Sequence, residues 1–308
     1  MSQILNGSSD RFPEETRGRV LRAAAELNYR PSRMGRALKR GVSDVVILIV
    51  PNATYGHHFQ DTIDKLASES ERRGLSVLVR YAGRDPRATL ATVLDMMPAA
   101  VVDMGVFDDA DRAEIVAAGI DIIPDFERFS RDMFDPNRHI GALQAGHLLR
   151  DPSLRLAYAL LDDARDDPFG PGRLAGAVAE AAAHGRAAPA VIHTPLRRDE
   201  ARQILGALVG DDPGLRWGIC CYNDEVGIAV LTAAAELGLS VPDQVAVVGA
   251  DATEIGQLVT PPLTTIAIDT PAIMETFGSW FAPFESPHQD AAPPPIEGFV
   301  TLVQGRTT

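Results

Sequence analysis

Cysteine, lysine and long apolar runs are all scarce in this sequence of 308 residues. The only cysteines, Cys220 and Cys221, are adjacent, which excludes a disulfide framework and favours a reducing compartment, the cytoplasm. No apolar run reaches the roughly 18–20 residues that a membrane span needs. The N-terminus lacks the basic stretch and apolar core of a secretory signal. The hydrophobic fraction of 45% and charged fraction of 23% are typical of a globular protein.

The sequence also lacks the motifs of common enzyme classes. It has no G-x-S-x-G, no Walker A loop, no G-x-G-x-x-G after a predicted strand and no H-E-x-x-H. The pair His57-His58 is a poor metal site, because adjacent side chains rarely face one ion and no cysteine or carboxylate is suitably spaced. We therefore expect no catalytic residues, no cofactor and no metal.

Charge is distributed unevenly along the chain. The net charge is -13, but residues 1–41 hold nine basic and four acidic side chains, so this segment is positive and the remainder strongly negative. A basic N-terminal segment followed by an acidic remainder indicates that the segment contacts the phosphates of a nucleic acid and the remainder does not. A solvated basic helix is the alternative explanation.

The first forty residues have the pattern of two helices joined by a short link. A helix is predicted from Pro13 to Leu27, because proline suits its first position and apolar residues recur at helical spacing. Tyr29-Arg30-Pro31 ends it, since the residue before a proline avoids the helical region. A second, shorter helix is predicted from Arg33 to Lys39.

This segment, SQILNGSSDRFPEETRGRVLRAAAELNYRPSRMGRALKRG, resembles the N-terminal region of LacI/GalR-family transcriptional regulators. The end of a recognition helix, a third helix, a Y-x-P link and a hinge helix follow in the family order. The resemblance implies operator binding as a homodimer, with a hinge-helix leucine, here Leu38, wedged into the minor groove. An ordinary core leucine is the alternative for Leu38, and a solvated side chain for Gln3. The DNA-contacting residues that the resemblance implies are Gln3, Asn6, Tyr29, Arg33, Leu38 and Arg40.

The departure from the family pattern concerns the part that reads bases. The family's first helix, its turn and the first half of the recognition helix have no counterpart, so residues 1–42 are interpreted as a partial helix-turn-helix remnant plus hinge helix. Met1 stands where the family usually has valine, and bacterial start codons include valine codons. We expect a natural start upstream, and weak or no operator binding by this chain. The alternative is a genuine truncation, which would leave a cytoplasmic small-molecule sensor without specific DNA binding.

The remaining residues, 43–308, alternate short apolar runs with helical stretches in two series. Such alternation predicts an α/β fold of two doubly wound, Rossmann-like lobes. Lobe 1 is expected over about 43–150 and 270–297, and lobe 2 over about 151–269 and 298–308. Ligands of such sheets bind beyond the carboxyl ends of the strands, so a ligand is expected in the cleft between the lobes.

Several motifs of this body resemble the periplasmic-binding-protein-type effector domain of the same family. They are R-L-A-G at Arg173–Gly176, Y-N-D at Tyr222–Asp224 and VPDQVAVVGAD, which ends at Asp251. The resemblance implies a regulator, more often a repressor, that senses a sugar or sugar-like compound. The effector-binding residues that we predict are Arg173, Asn223, Asp251, Phe59, Tyr55 and Phe169.

Each of these assignments has a structural alternative. Arg173 offers a rigid fork of donors to hydroxyls, but a surface charge on a helix has the same sequence pattern. Asn223 can donate and accept, and equally can cap a helix; Asp251 can accept from two hydroxyls or cap the short helix after it. Phe169 is as compatible with the core or the surface as with the cleft.

Overall fold

The computed structural model describes residues 12–27, 43–52, 58–83, 85–123, 136–163, 165, 167, 169–210, 214–269, 272 and 296–308. Within them, two four-stranded parallel sheets have the same strand order, in which the first strand of each series lies second from the edge. The doubly wound α/β fold predicted from the two series is confirmed.

The first helix among the described residues precedes the first sheet. This helix, α1, follows Pro13 and carries Glu14 and Glu15 in its first turn, where carboxylates interact favourably with the helix dipole. The first sheet has the order β2-β1-β3-β4. Bounds here are α1 Glu14–Glu26, β1 Val45–Val50, α2 His58–Arg72, β2 Ser76–Tyr81, α3 Pro86–Met96, β3 Ala100–Asp103, α4 Asp109–Ala117 and β4 Asp121–Ile123.

The second sheet has the order β6-β5-β7-β8 and is accompanied by a short antiparallel pair, β9 with β10. The bounds are α5 Pro136–Leu148, β5 Leu154–Leu161, α6 Gly170–Ala183, β6 Ala190–Thr194, α7 Arg198–Val209, β7 Arg216–Cys221, α8 Asp224–Glu236, β8 Val245–Val248, α9 Glu254–Leu258, β9 Thr265–Ile268 and β10 Val300–Val303, with a 3-10 turn at Ile296–Phe299.

Apolar side chains pack on both faces of each sheet. The strand β1 is an uninterrupted run of valine, isoleucine and leucine because alternate side chains enter opposite clusters, with Ile47 on one face and Leu48 on the other. In the second sheet, Ile219 and Cys220 divide between the faces in the same way. Both cysteines are fully buried, and burial raises the pKa of each thiol, so neither is a reactive thiolate near neutral pH.

The helix α5 packs against the second sheet, so the expected division of the lobes needs a correction. The two series of elements in the sequence predict that lobe 1 extends to about residue 150. Ala145 and Leu148 of α5 belong to the apolar cluster of β5 and α6, and the Gln144 amide donates to the Cys221 carbonyl at 2.8 Å. Residues 136–150 therefore belong with lobe 2.

None of the helices described is both long enough and apolar enough to cross a membrane.

Candidate functional site

The side chains of Arg173, Tyr222 and Asp251 lie together at the carboxyl edge of the second sheet, where β5, β6, β7 and β8 end. Arg173 Nη2 lies 3.5 Å from Asp251 Oδ1, and Arg173 Nη1 donates to the Tyr222 carbonyl. The guanidinium carbon lies 5.1 Å from the centre of the Tyr222 ring. Arg173 and Asp251 are each about 6% exposed, so Arg173 is a buried charge, and the surface alternative is wrong.

Arg173 lies in helix α6. Three sets of contacts hold this helix so that the guanidinium lies at the sheet edge. Asp167 Oδ1 accepts hydrogen bonds from the backbone N–H groups of Phe169 and Gly170, at 3.0 and 2.7 Å. Asn137 of α5 accepts from Arg173 Nε at 3.0 Å. The crossing of α5 and α6 is so close that a Cβ on Gly176 would lie 1.8 Å from the Arg138 carbonyl oxygen. Sequence reasoning missed Asn137, which sits at the start of a helix that it had not predicted.

Two other predicted residues have structural roles at this edge. Asn223 caps α8, since its Oδ1 accepts from the Val226 N–H at 3.0 Å, as the helix-cap alternative proposed. Phe169 packs against the apolar cluster that includes Tyr222. An effector contact by either residue remains a prediction.

The other predicted site residues are not described in the structure. Tyr55 lies outside the described residues, as do the DNA-contacting candidates Gln3, Asn6, Tyr29, Arg33, Leu38 and Arg40. Phe59 lies in α2, but its side chain is not among those described. Their roles remain predictions.

A cavity of about 210 Å³ adjoins the Arg173 site at the ends of β5 and β6. Burial and the nearby Asp167 carboxylate raise the pKa of Tyr222, which stays neutral at any physiological pH. Within the described ranges, no group of histidine, cysteine and acidic residues could hold a metal ion. The cavity is lined by Leu160, Leu161, Asp162, Asp163, Arg165, Asp167, His193 and Tyr222.

Sequence reasoning gave no role in the site to Gln144 or to Asp224 of the Y-N-D motif, two polar side chains with no exposed surface. The Gln144 amide donates to the carbonyls of Cys221, Val248 and Gly249, and its oxygen accepts from the Tyr158 hydroxyl. This side chain thereby ties together the ends of β7 and β8. The helical spacing of Ile140, Gln144 and Leu148 is the one sequence signal that could have revealed it.

The buried Asp224 carboxylate gives a prediction for pH-dependent stability. Burial raises its pKa from 3.8 to about 6, although Thr265 and Thr253 donate hydrogen bonds that oppose the shift. The native protein therefore binds this proton more tightly than the unfolded chain, and its contribution to stability falls as pH rises through 4 to 6. Relative to Asp224→Asn, we expect wild type to lose about 2 kcal/mol of unfolding free energy between pH 4.5 and 7.5. Urea unfolding of both proteins measures this, and equal pH dependence would contradict it.

Comparison with protein families identifies the fold's relatives. Residues 145–308, more than half of the chain, match the family called periplasmic binding protein-like domain. The chain belongs to this family. The curated proteins similar to it include the HTH-type transcriptional regulator AscG of Escherichia coli K12, 25% identical over 290 residues, which cover 90% of this chain and 85% of AscG. The HTH-type transcriptional repressor CytR of the same organism is 25% identical over 84% of this chain and 77% of CytR.

Solved structures of LacI-type regulators share the fold. The lac repressor dimer bound to operator and the anti-inducer ONPF has a TM-score of 0.74 at 21% identity, covering 99% of this chain and 94% of that one. A sugar-binding LacI-family regulator from Escherichia coli, complexed with phosphate, has a TM-score of 0.68 at 19% identity, over 87% and 99%. The resemblance to LacI/GalR regulators is confirmed by these relatives.

Proposed function

We propose that this chain is a ligand-responsive transcriptional regulator, acting as a repressor, whose effector is a sugar or sugar-like compound bound between the lobes. The observation that carries the proposal is the buried Arg173–Asp251 pair at the carboxyl edge of the second sheet. Relatives named as transcriptional repressors support the regulatory role, and a similar structure is the transcriptional regulator CelR with cellobiose.

The polar groups of this pair favour an uncharged ligand with neighbouring hydroxyls. Among the described residues, Arg173 donates to Asn137 and Tyr222 and faces Asp251, which leaves some of its N–H donors unused. Asp251 is an acceptor beside them, so adjacent hydroxyls can accept from the arginine and donate to the carboxylate. Because Asp251 already neutralises the guanidinium, an added phosphate gains little from Arg173.

The domain organisation follows from the same proposal. Residues 1–42 form the DNA-binding segment, for which we expect weak or no operator binding in this chain. The remainder forms the two lobes, with residues 136–150 in lobe 2. The protein acts as a cytoplasmic homodimer, is not an enzyme and needs no cofactor. Effector binding changes the relative orientation of the lobes and so biases the DNA-binding state of the N-terminal segment.

A thermal-shift screen tests the effector class. The probes are glucose, galactose, cellobiose, glucose 6-phosphate, adenosine, cytidine and hypoxanthine. A ligand that binds only the native state stabilises it by about 2.7 kcal/mol at a hundredfold excess over its Kd. We expect at least one of the three neutral sugars to raise the melting temperature and glucose 6-phosphate to have no effect. Stabilisation by glucose 6-phosphate alone would contradict the neutral-sugar proposal, and stabilisation by a nucleoside or hypoxanthine alone would exclude a sugar effector.

A further inference from the structure

The turn that carries Asp251 is strained. Asp251 has a φ of 98° and Ala252 a φ of 47°, both in the left-handed region that non-glycine residues rarely adopt. Two such residues in succession persist only where the surroundings hold them. The contacts that hold this turn therefore determine where the Asp251 carboxylate lies.

Every residue from Ala250 to Thr253 has a backbone hydrogen bond that restrains this turn. The Ala250 carbonyl accepts from the Asp224 N–H, and the Asp251 N–H donates to the Ile266 carbonyl, both at 2.8 Å. The Ala252 N–H donates to Thr265 Oγ1 at 3.2 Å, and the Thr253 N–H to Asp224 Oδ2 at 2.6 Å. Asp224 and Thr265 therefore provide most of the partners of this turn.

The Asp224 carboxylate accepts hydrogen bonds from both Thr265 and Thr253. Its Oδ1 accepts from the Thr265 hydroxyl at 2.5 Å, and its Oδ2 accepts from the Thr253 hydroxyl at 2.9 Å as well as from the Thr253 N–H. Glycine at 249 and at 256 leaves room for it, since a Cβ on Gly249 would lie 2.2 Å from Oδ1. The carboxylate thus links the start of α8, the turn after β8 and the strand β9.

We propose that Asp224 is a positioning residue of the effector site, whose carboxylate holds the 250–253 turn and thereby fixes Asp251 opposite Arg173. Asp224 itself does not touch the ligand. Its effect on affinity rests on the proposed function, whereas its effect on the turn does not. A rigid turn increases effector affinity because the acceptor is already in place before the ligand arrives.

Amide hydrogen exchange of the ligand-free protein tests the turn directly. Asp224→Asn and Thr265→Val remove parts of the arrangement, and Thr265→Ser keeps the hydroxyl. The matched control is Thr194→Val at the end of β6, because the buried Thr194 hydroxyl has no hydrogen-bond partner among the described residues. We expect the amides of residues 251–253 to exchange at least about tenfold faster in Asp224→Asn and Thr265→Val, with exchange in β5 unchanged.

The two controls and the ligand measurement separate positioning from general stability. Thr265→Ser should exchange like wild type, and so should Thr194→Val. The sugar that gives the largest thermal shift with wild type should bind Asp224→Asn and Thr265→Val at least about tenfold more weakly, and the two controls with unchanged affinity. Wild-type exchange at residues 251–253 in Asp224→Asn would overturn the proposal. If no sugar binds wild type, the proposed function fails, while the exchange result still decides the role of Asp224.

Discussion

Replacing Gly176 by alanine is expected to lower the free energy of unfolding by about 3 kcal/mol, because the added Cβ meets backbone and not a movable side chain. It would lie 1.8 Å from the Arg138 carbonyl oxygen, and a Cβ on the facing Gly141 would lie 1.7 Å from the Arg173 carbonyl oxygen. The helices α5 and α6 must then move apart. That movement also separates Asn137 from Arg173, so the effector site changes together with stability.

The control for this prediction is Gly146→Ala in the facing helix, α5. A Cβ at Gly146 would lie 3.0 Å from Glu180 Oε1, the far end of a flexible side chain that can rotate away. Alanine is also the better helix former, by up to about 1 kcal/mol. Chemical unfolding should therefore show a large loss for Gly176→Ala and little change or a gain for Gly146→Ala. Equal stability of the two variants would contradict the close helix crossing.

Replacing Arg112 by alanine in lobe 1 is expected to cost about 3–5 kcal/mol, because it leaves a buried carboxylate without its counter-charge. Arg112 Nη1 donates to Asp103 Oδ2 at 2.7 Å, and both side chains are almost fully buried. Asp103 Oδ1 also accepts from the backbone of the β3–α4 connection, including the Val106 N–H at 2.8 Å. Burial already raises the pKa of Asp103 despite Arg112, so the carboxylate would be protonated more readily in the variant.

A double substitution isolates the charge from the packing. Asp103→Asn combined with Arg112→Met keeps an acceptor for the Val106 N–H and an apolar chain of similar reach, and it removes both charges. Urea unfolding should show that the double variant recovers most of the stability lost in Arg112→Ala. A double variant as unstable as Arg112→Ala would show that the uncompensated charge of Asp103 does not cause the loss, and would contradict this account.

The sequence predicted the elements whose side chains follow a simple periodicity. The strand Val45–Val50 is one of the short apolar runs of the sequence: all six residues are apolar, and Val46–Val50 are buried in a parallel sheet. The helix α5 was not predicted, because Gln144 and glycine occupy core-facing positions where the pattern needs apolar residues. Only the fold explains both residues. Gln144 donates to carbonyls of β7 and β8, and at Gly141 the backbone of α6 lies too close for a side chain.

The candidate site was predictable to the extent that its residues follow predicted strands. Asp251 and the Y-N-D motif follow β8 and β7, so the topology alone brings them to one edge. The partners of Asp224 lie 29 and 41 residues away in the sequence, on elements with no pattern that links them to it. The capping role of Asn223 was foreseen as an alternative because it depends on local sequence alone.

The most direct test of the proposed effector site is a calorimetric titration of the sugar that gives the largest thermal shift into wild type, Arg173→Ala and Arg155→Ala. Arg155 is the matched control, since its guanidinium also lies over an aromatic ring of this sheet, 5.2 Å from the centre of Trp217, but near the opposite end of the strands. We expect Arg173→Ala to weaken binding at least about a hundredfold, since it removes charge-assisted hydrogen bonds worth about 3 kcal/mol or more. Arg155→Ala should bind like wild type. Equal affinity of Arg173→Ala and wild type would contradict the assignment of this edge as the effector site.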